Sequence, residues 1–173
     1  MGIDLPLIWA VIILFGVMMY VVMDGFDLGI GILFTAVDGK EDRDVMMNTV
    51  APVWDGNETW LVLGGAGLLV AFPLAYSVVL TAFYLPLVLM LVGLIFRGVA
   101  FEFRFKVPAG KRRMWDKSFA GGSLVATFFQ GVTLWTAFPK AFAILLPAMY
   151  IPIVILLLAL IFRGVAFEFR WVA

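Results

Sequence analysis

The 173-residue sequence has no cysteine and no histidine, and only 14% of it is charged. Without cysteine there are no disulfides, thiolate metal sites, iron–sulfur clusters or cysteine nucleophiles. Without histidine the chain lacks the usual haem and zinc ligand and the imidazole base. Any redox reaction it serves is therefore expected in a partner. The scarcity of charge beside 64% hydrophobic residues excludes a water-soluble globule, for which about 45–50% apolar and about 25% charged residues are usual. Disorder is excluded too, since 17 Phe, 6 Trp and 4 Tyr oppose a solvated, low-hydrophobicity composition. No phosphate-binding glycine loop, HExxH or GxSxG pattern is present. Gly64, Gly65 and Gly67 lie inside an apolar run and read as helix-packing residues. Nothing points to nucleic acid, because the basic cluster is short and juxtamembrane.

What is there is a set of long apolar runs. A bilayer core about 30 Å thick takes about 20 helical residues, and the sequence predicts about five such spans. Leu5 to Met23 is uncharged and continues past two aspartates to Val37 as one long first helix. Thr59 to Phe96 carries no charge over 38 residues, enough for two spans, with a reversal expected at Phe72-Pro73-Leu74. Ser118 to Pro139 makes a fourth and Ala141 to Phe162 a fifth. The runs are continuously apolar, so the expected class is all-α, a polytopic transmembrane helix bundle, and not a β-barrel. Glu41 to Val53 mixes charges with Val45, Met46, Met47, Val50 and Val53, as in a short helix at the membrane surface.

Basic residues set the expected orientation. Arg104, Lys106, Lys111, Arg112, Arg113 and Lys117 crowd the connection after the third span, which the positive-inside rule makes cytoplasmic. The N-terminus then lies outside, the Asp38–Gly56 connection inside, and the C-terminus inside, with Lys140 as a lone dissenter. Asp4 and the lack of a basic leader argue that the first run is retained as a helix.

One internal repeat stands out. Residues 71–107 match 137–173 at an offset of 66, with 21 identities in 37 positions, among them Ile95–Arg104 against Ile161–Arg170. Both copies run outside to inside, so the repeat is parallel and not inverted. Its high identity indicates a recent duplication, a recombined gene or an assembly fault. The expected organisation is a four-helix unit over 1–135 and an extra helix over 136–173.

The charges inside apolar sequence are the candidates for chemistry. Asp24 and Asp27 sit in Met23-Asp24-Gly25-Phe26-Asp27-Leu28-Gly29, three residues apart and so on one helix face, able to share a proton, a cation or an arginine. Such carboxylates usually face a bundle interior or a water-lined path. The plainer reading ends the span there, against the apolar continuation to Val37. Gly25 and Gly29 form a small-xxx-small pair that would admit a neighbouring helix. Asp55 and Glu58, in Trp54-Asp55-Gly56-Asn57-Glu58-Thr59-Trp60, read as a capping box, as a proton-intake point, or as both. Trp54 and Trp60 resemble interfacial belt residues. Arg97 and Glu102, at the inner end of the third span, are open to two readings: snorkelling to the interface, or pairing of Arg97 with a carboxylate of the first or second helix.

Four strings in order are specific enough to carry a resemblance. They are Asp24-Gly25-Phe26-Asp27-Leu28-Gly29, the run Asn48 to Trp60, Phe72-Pro73-Leu74-Ala75-Tyr76, and the run Phe96 to Arg104. Over roughly residues 3–135 the chain resembles subunit II of cytochrome bd-type quinol oxidases, of the variety similar to the cyanide-insensitive oxidases. The resemblance implies a multi-pass subunit of a bacterial cytoplasmic membrane complex that oxidises quinol, reduces dioxygen to water and takes the protons from the cytoplasm. It implies that subunit I holds the b- and d-type haems and the quinol site. Subunit II, without cofactor of its own, packs against subunit I, beside lipid, quinone and a small accessory subunit, and offers an acidic route toward the haems. Asp24 and Asp55 fall on the family's acidic positions and Arg97 on the arginine of the third-span motif. A family member is about twice as long, with a second four-helix bundle, where this chain instead repeats third-span sequence. Two other functions compete: a small proton- or cation-coupled transporter using the same carboxylates with Arg97, and a nonfunctional fragment.

Overall fold

A computed structural model describes residues 4–137, and every element in that stretch is helical. The elements are α1 (Leu5–Leu33), continued by a 3-10 turn over Phe34–Ala36, α2 (Lys40–Val50), α3 (Trp54–Ala71), α4 (Pro73–Ala82), α5 (Tyr84–Arg104) and α6 (Arg112–Ala137). Residues 4–131 form one compact unit, and 132–137 fall in a second. The fifth expected span and the repeated copy lie outside the described residues.

The first helix forms as its sequence demands. The Asp4 carboxylate accepts the Leu7 N–H at 3.1 Å, capping an orphan donor, and Pro6 stands in the first turn, where its missing N–H costs nothing. The helix then runs unbroken through Asp24 and Asp27. Among the described residues two helices are long and apolar enough to cross a membrane, Leu5–Ala36 with its 3-10 turn and Tyr84–Arg104. The uncharged stretch 59–96 divides into three helices where the sequence indicated two. The expected break comes at Phe72, whose backbone leaves the helical region just before Pro73. A second break at Phe83 separates the ten-residue α4 from α5. Pro86 explains it: a proline is tolerated in the first turn of α5 but not in the middle of a continuous helix. The fourth apolar segment begins six residues earlier than its first uncharged residue, because Arg112, Arg113 and Lys117 are good helix formers that keep their charges toward the end of the unit.

Cross-helix contacts fix the directions. Val17 faces Gly64, Ile13 faces Gly67 and Leu63 faces Gly16, so α1 and α3 are antiparallel. The glycines matter sterically, since a β-carbon on Gly64 would stand 2.9 Å from Val17 Cγ2. Between α5 and α6 the approach is closer: a β-carbon on Gly93 would lie 2.7 Å from the Ala126 nitrogen and 2.8 Å from the Gly122 oxygen. Backbone cannot yield as a side chain can, so this crossing needs glycine. Along α5, Gly93 lies against Ala126, Arg97 against Gly122 and Phe101 against Phe119, at 4.9 Å between ring centres, so α5 and α6 are antiparallel. Phe34 contacts Phe119 and Gly31 abuts Ser123, so α6 also runs opposite to α1.

The expected surface segment is helical but ends at Val50, three residues before Val53. Its Met47 and Val50 are buried with Phe34, Ala100, Phe101 and Phe119. That apolar cluster ties α2 to the ends of α1, α5 and α6, while Leu5, Leu14, Val70, Leu74 and other large apolar side chains stay exposed on the outside. An outward-facing apolar shell around an interior that also buries charged side chains departs from the arrangement of a soluble domain.

Candidate functional site

The polar interior is assembled from three helices. Asp24 and Asp27 project from α1, Glu58 from the second turn of α3, and Arg97 from the middle of α5. Arg97 Nη2 donates to Asp24 Oδ1 at 2.5 Å and to Glu58 Oε2 at 3.0 Å. The side chains of Arg97 and Asp24 are wholly buried, and that of Glu58 is 25% exposed. Asp27 Oδ2 accepts from Asn57 Nδ2 at 2.9 Å, and Asp27 is also wholly buried. Arg97 therefore does not snorkel: it is the shared cation of a buried ion-pair cluster, the arrangement by which charge persists away from water.

The cluster keeps unused hydrogen-bonding capacity. Asp24 Oδ2, Asp27 Oδ1, the Tyr20 hydroxyl, and Arg97 Nε and Nη1 are buried with no hydrogen-bond partner among the described residues. Tyr20 is one turn before Asp24 on the same face of α1. Buried polar atoms are nearly always satisfied in folded proteins, so five unsatisfied ones around one guanidinium mark a polar site and not a packing core.

The other expected site residues divide. Asp55 lies exposed in the first turn of α3, one turn from Glu58. The capping-box reading is corrected: the N-cap of α3 is Val53, no side chain caps it, and the Glu58 carboxylate is taken by Arg97. A cap requires a short polar side chain at the N-cap position, which valine does not provide. Glu102 does not join the cluster. It pairs with Lys106 at 2.7 Å, both more than 60% exposed. Trp54 stacks on Phe101 at 5.1 Å with 13° between the ring planes and covers Gly98, whereas Trp60 meets Phe15 edge-on at 6.0 Å. Gly25 and Gly29 are corrected as helix-packing residues within this unit: a β-carbon on either would meet nothing within 4 Å. They lie on the face of α1 turned away from Asp24 and Asp27, and the close crossings use Gly16, Gly31, Gly64, Gly67, Gly93 and Gly122 instead.

Sequence reasoning missed Tyr20 and Asn57, and missed a second cluster at the basic end of the unit. There Arg104, 1% exposed, donates to Asp44 at 2.5 Å and to Asp116 at 2.6 Å, while Arg43 reaches Asp116 at 3.4 Å and Arg112 reaches Asp44 at 3.6 Å. Tyr20 was findable from its i−4 spacing to Asp24. The Arg104 pairs join residues 12 and 60 positions apart and carry no local signal.

The family model for cytochrome bd terminal oxidase subunit II matches residues 5–134 and, separately, 131–173. The chain belongs to the cytochrome bd terminal oxidase subunit II family. The second match falls on the segment that repeats 71–107. Among its relatives, a probable cytochrome oxidase subunit 2 of Haemophilus influenzae is 40% identical over 128 residues, 72% of this chain and 34% of that protein. Cytochrome bd ubiquinol oxidase subunit 2 of Bacillus subtilis is 42% identical over 118 residues, covering 67% and 35%. Cytochrome bd-I ubiquinol oxidase subunit 2 of Escherichia coli is 40% identical over 116 residues, covering 65% and 30%. The chain thus spans about a third of the length of the curated relatives it matches. Among the described residues no group of His, Cys, Asp or Glu could hold a metal ion, and the full sequence offers no imidazole or thiolate for a haem.

Proposed function

We propose that the chain provides the N-terminal part of the haem-free second subunit of a terminal quinol oxidase, a complex that couples quinol oxidation to reduction of dioxygen to water. In this reading it lies in the bacterial cytoplasmic membrane against the haem-bearing subunit I, supports that subunit, and contributes no redox group. The four-helix unit over 1–135 crosses the bilayer with α1, α3, α5 and α6, the N-terminus outside. The alternating directions of these helices are those that four successive crossings require. The basic end, with Arg104, Arg112 and Arg113, then faces the cytoplasm.

The observation that carries the reading is the buried Arg97 held between Asp24 and Glu58. Exposure falls from Asp55, open at the basic end, through the partly exposed Glu58 to the buried Asp24 and Asp27. One guanidinium balances one carboxylate. The remaining acids hold the site's capacity to accept and release protons, and the unpartnered Asp24 Oδ2 and Tyr20 hydroxyl are where a proton can be passed on. We read this series as a proton-uptake route serving the oxygen chemistry of the partner.

The test is made on the chain assembled with its haem-bearing subunit, comparing Asp24→Asn and Glu58→Gln with the parent. The expected result is unchanged haem absorption with quinol-driven oxygen consumption slowed on the order of 10²-fold, the lower range for removing a positioned proton-transfer group. Full turnover in both variants would remove the route.

A further inference from the structure

At the basic end of the unit, the connection after α1, the start of α2, the end of α5 and the start of α6 border a half-open cavity of about 370 Å³. Five cations line it, Lys40, Arg43, Arg104, Arg112 and Arg113, beside the carboxylates Asp38 and Asp116. We propose that this cavity binds a phosphate-bearing anion.

Not all of this positive charge is neutralised by the neighbouring carboxylates. Arg104 is consumed by Asp44 and Asp116. Arg43 gives its Nε to the Val37 carbonyl at 2.6 Å and touches Asp116 only at 3.4 Å. Arg112 approaches Asp44 at 3.6 Å, and its Nε is buried with no hydrogen-bond partner among the described residues. Lys40 and Arg113 make no ion pair among the described residues. Even counting Asp38, which faces the cavity and opposes an anion, together with Asp44 and Asp116, five cations less three carboxylates leave a surplus of two. A phosphate ester supplies the missing charge and several acceptor oxygens at once, and guanidinium forks suit it geometrically.

The guanidinium groups are already oriented. Arg43 and Arg104 lie over the Phe34 ring at 5.5 and 5.6 Å, and Arg104 and Arg112 over Phe105 at 5.1 and 5.8 Å. These ring contacts hold the guanidiniums at the rim of the cleft, and with Arg104 taken by Asp44 and Asp116 the N–H groups left for a ligand are those of Arg43 and Arg112. Such an anion could be the headgroup of an anionic phospholipid or free phosphate. The cavity lies at the ends of the two membrane-length helices, Leu5–Ala36 and Tyr84–Arg104, the depth at which basic pockets meet lipid headgroups.

The two sources are separable on the full chain in detergent. Binding is measured by thermal shift and by titration with short-chain phosphatidylglycerol, short-chain phosphatidylcholine and inorganic phosphate. Saturable binding of phosphatidylglycerol but not phosphatidylcholine identifies a lipid headgroup, and displacement of that lipid by inorganic phosphate identifies a site open to the free ion as well. The double substitution Arg112→Gln with Arg113→Gln is expected to weaken binding about thirtyfold. The double substitution Lys111→Gln with Lys117→Gln, which removes the same charge from outside the cavity, should leave it unchanged. Arg112→Lys with Arg113→Lys keeps the charge and provides a folded comparison if the glutamine variant fails to purify; intermediate affinity is expected. No saturable binding of either anion, or equal weakening by the Arg112/Arg113 and Lys111/Lys117 glutamine pairs, overturns the proposal.

Discussion

The two ion-pair clusters of the unit use similar distances to opposite ends. In the interior, one guanidinium serves Asp24 and Glu58, and no second cation pairs with either among the described residues. At the basic end, Asp116 is shared by Arg104 and Arg43, and Asp44 by Arg104 and Arg112. The outer cluster is redundant and adjoins solvent, with Asp44 a third exposed. The inner one is minimal and, apart from the partly exposed Glu58, buried. Redundant pairing holds helix ends together, whereas a single cation between two acids has no substitute if it is removed.

Removing the central cation of each cluster breaks the comparison most severely. Arg97→Gln leaves Asp24 buried and uncompensated, and should lower stability by about 3–5 kcal/mol, read as a fall in thermal midpoint and in membrane abundance. Arg104→Gln removes a side chain equally hidden from water, yet each of its carboxylates keeps another arginine. The expected cost is about 1–2 kcal/mol, near that of lost hydrogen bonds without an orphaned charge. If the two substitutions cost the same, redundancy is not what separates the clusters. Lys106→Gln, which opens the exposed pair to Glu102, marks the lower limit. Its effect on the same thermal midpoint should stay under about 1 kcal/mol and vanish at high salt.

The legible part of the molecule was the part written in local sequence. The helix from Leu5 through the aspartates, the interruption at Phe72-Pro73 and the helical character of the 40–50 segment all follow from apolar runs and proline chemistry. The second interruption at Phe83 was missed because the charge-free stretch hid it, although Pro86 signals a helix start there. Asp24 and Arg97 could be singled out as candidates because charge inside an apolar run is costly. Which carboxylate met which cation could not be read. Arg97 lies 73 and 39 residues from its partners, and Glu58, three residues after Asp55, presented a local capping pattern that competed with the distant pairing. The packing glycines show the same limit: Gly25 and Gly29 have the favoured spacing, but Gly93 and Gly122 mark the close crossing, because helix rotation decides which glycine faces a neighbour.

The account rests on Arg97, Asp24 and Glu58 acting as one buried unit, and a double-mutant cycle on Arg97→Gln and Asp24→Asn tests this most directly. Thermal stability of the parent, the two single variants and the double variant gives the coupling. Neutralising Asp24 should rescue much of the damage done by Arg97→Gln, with a coupling of at least about 2 kcal/mol, in the upper part of the range for contacting residues. Additive losses would show that the two charges do not hold each other inside the helix unit, and would contradict the account.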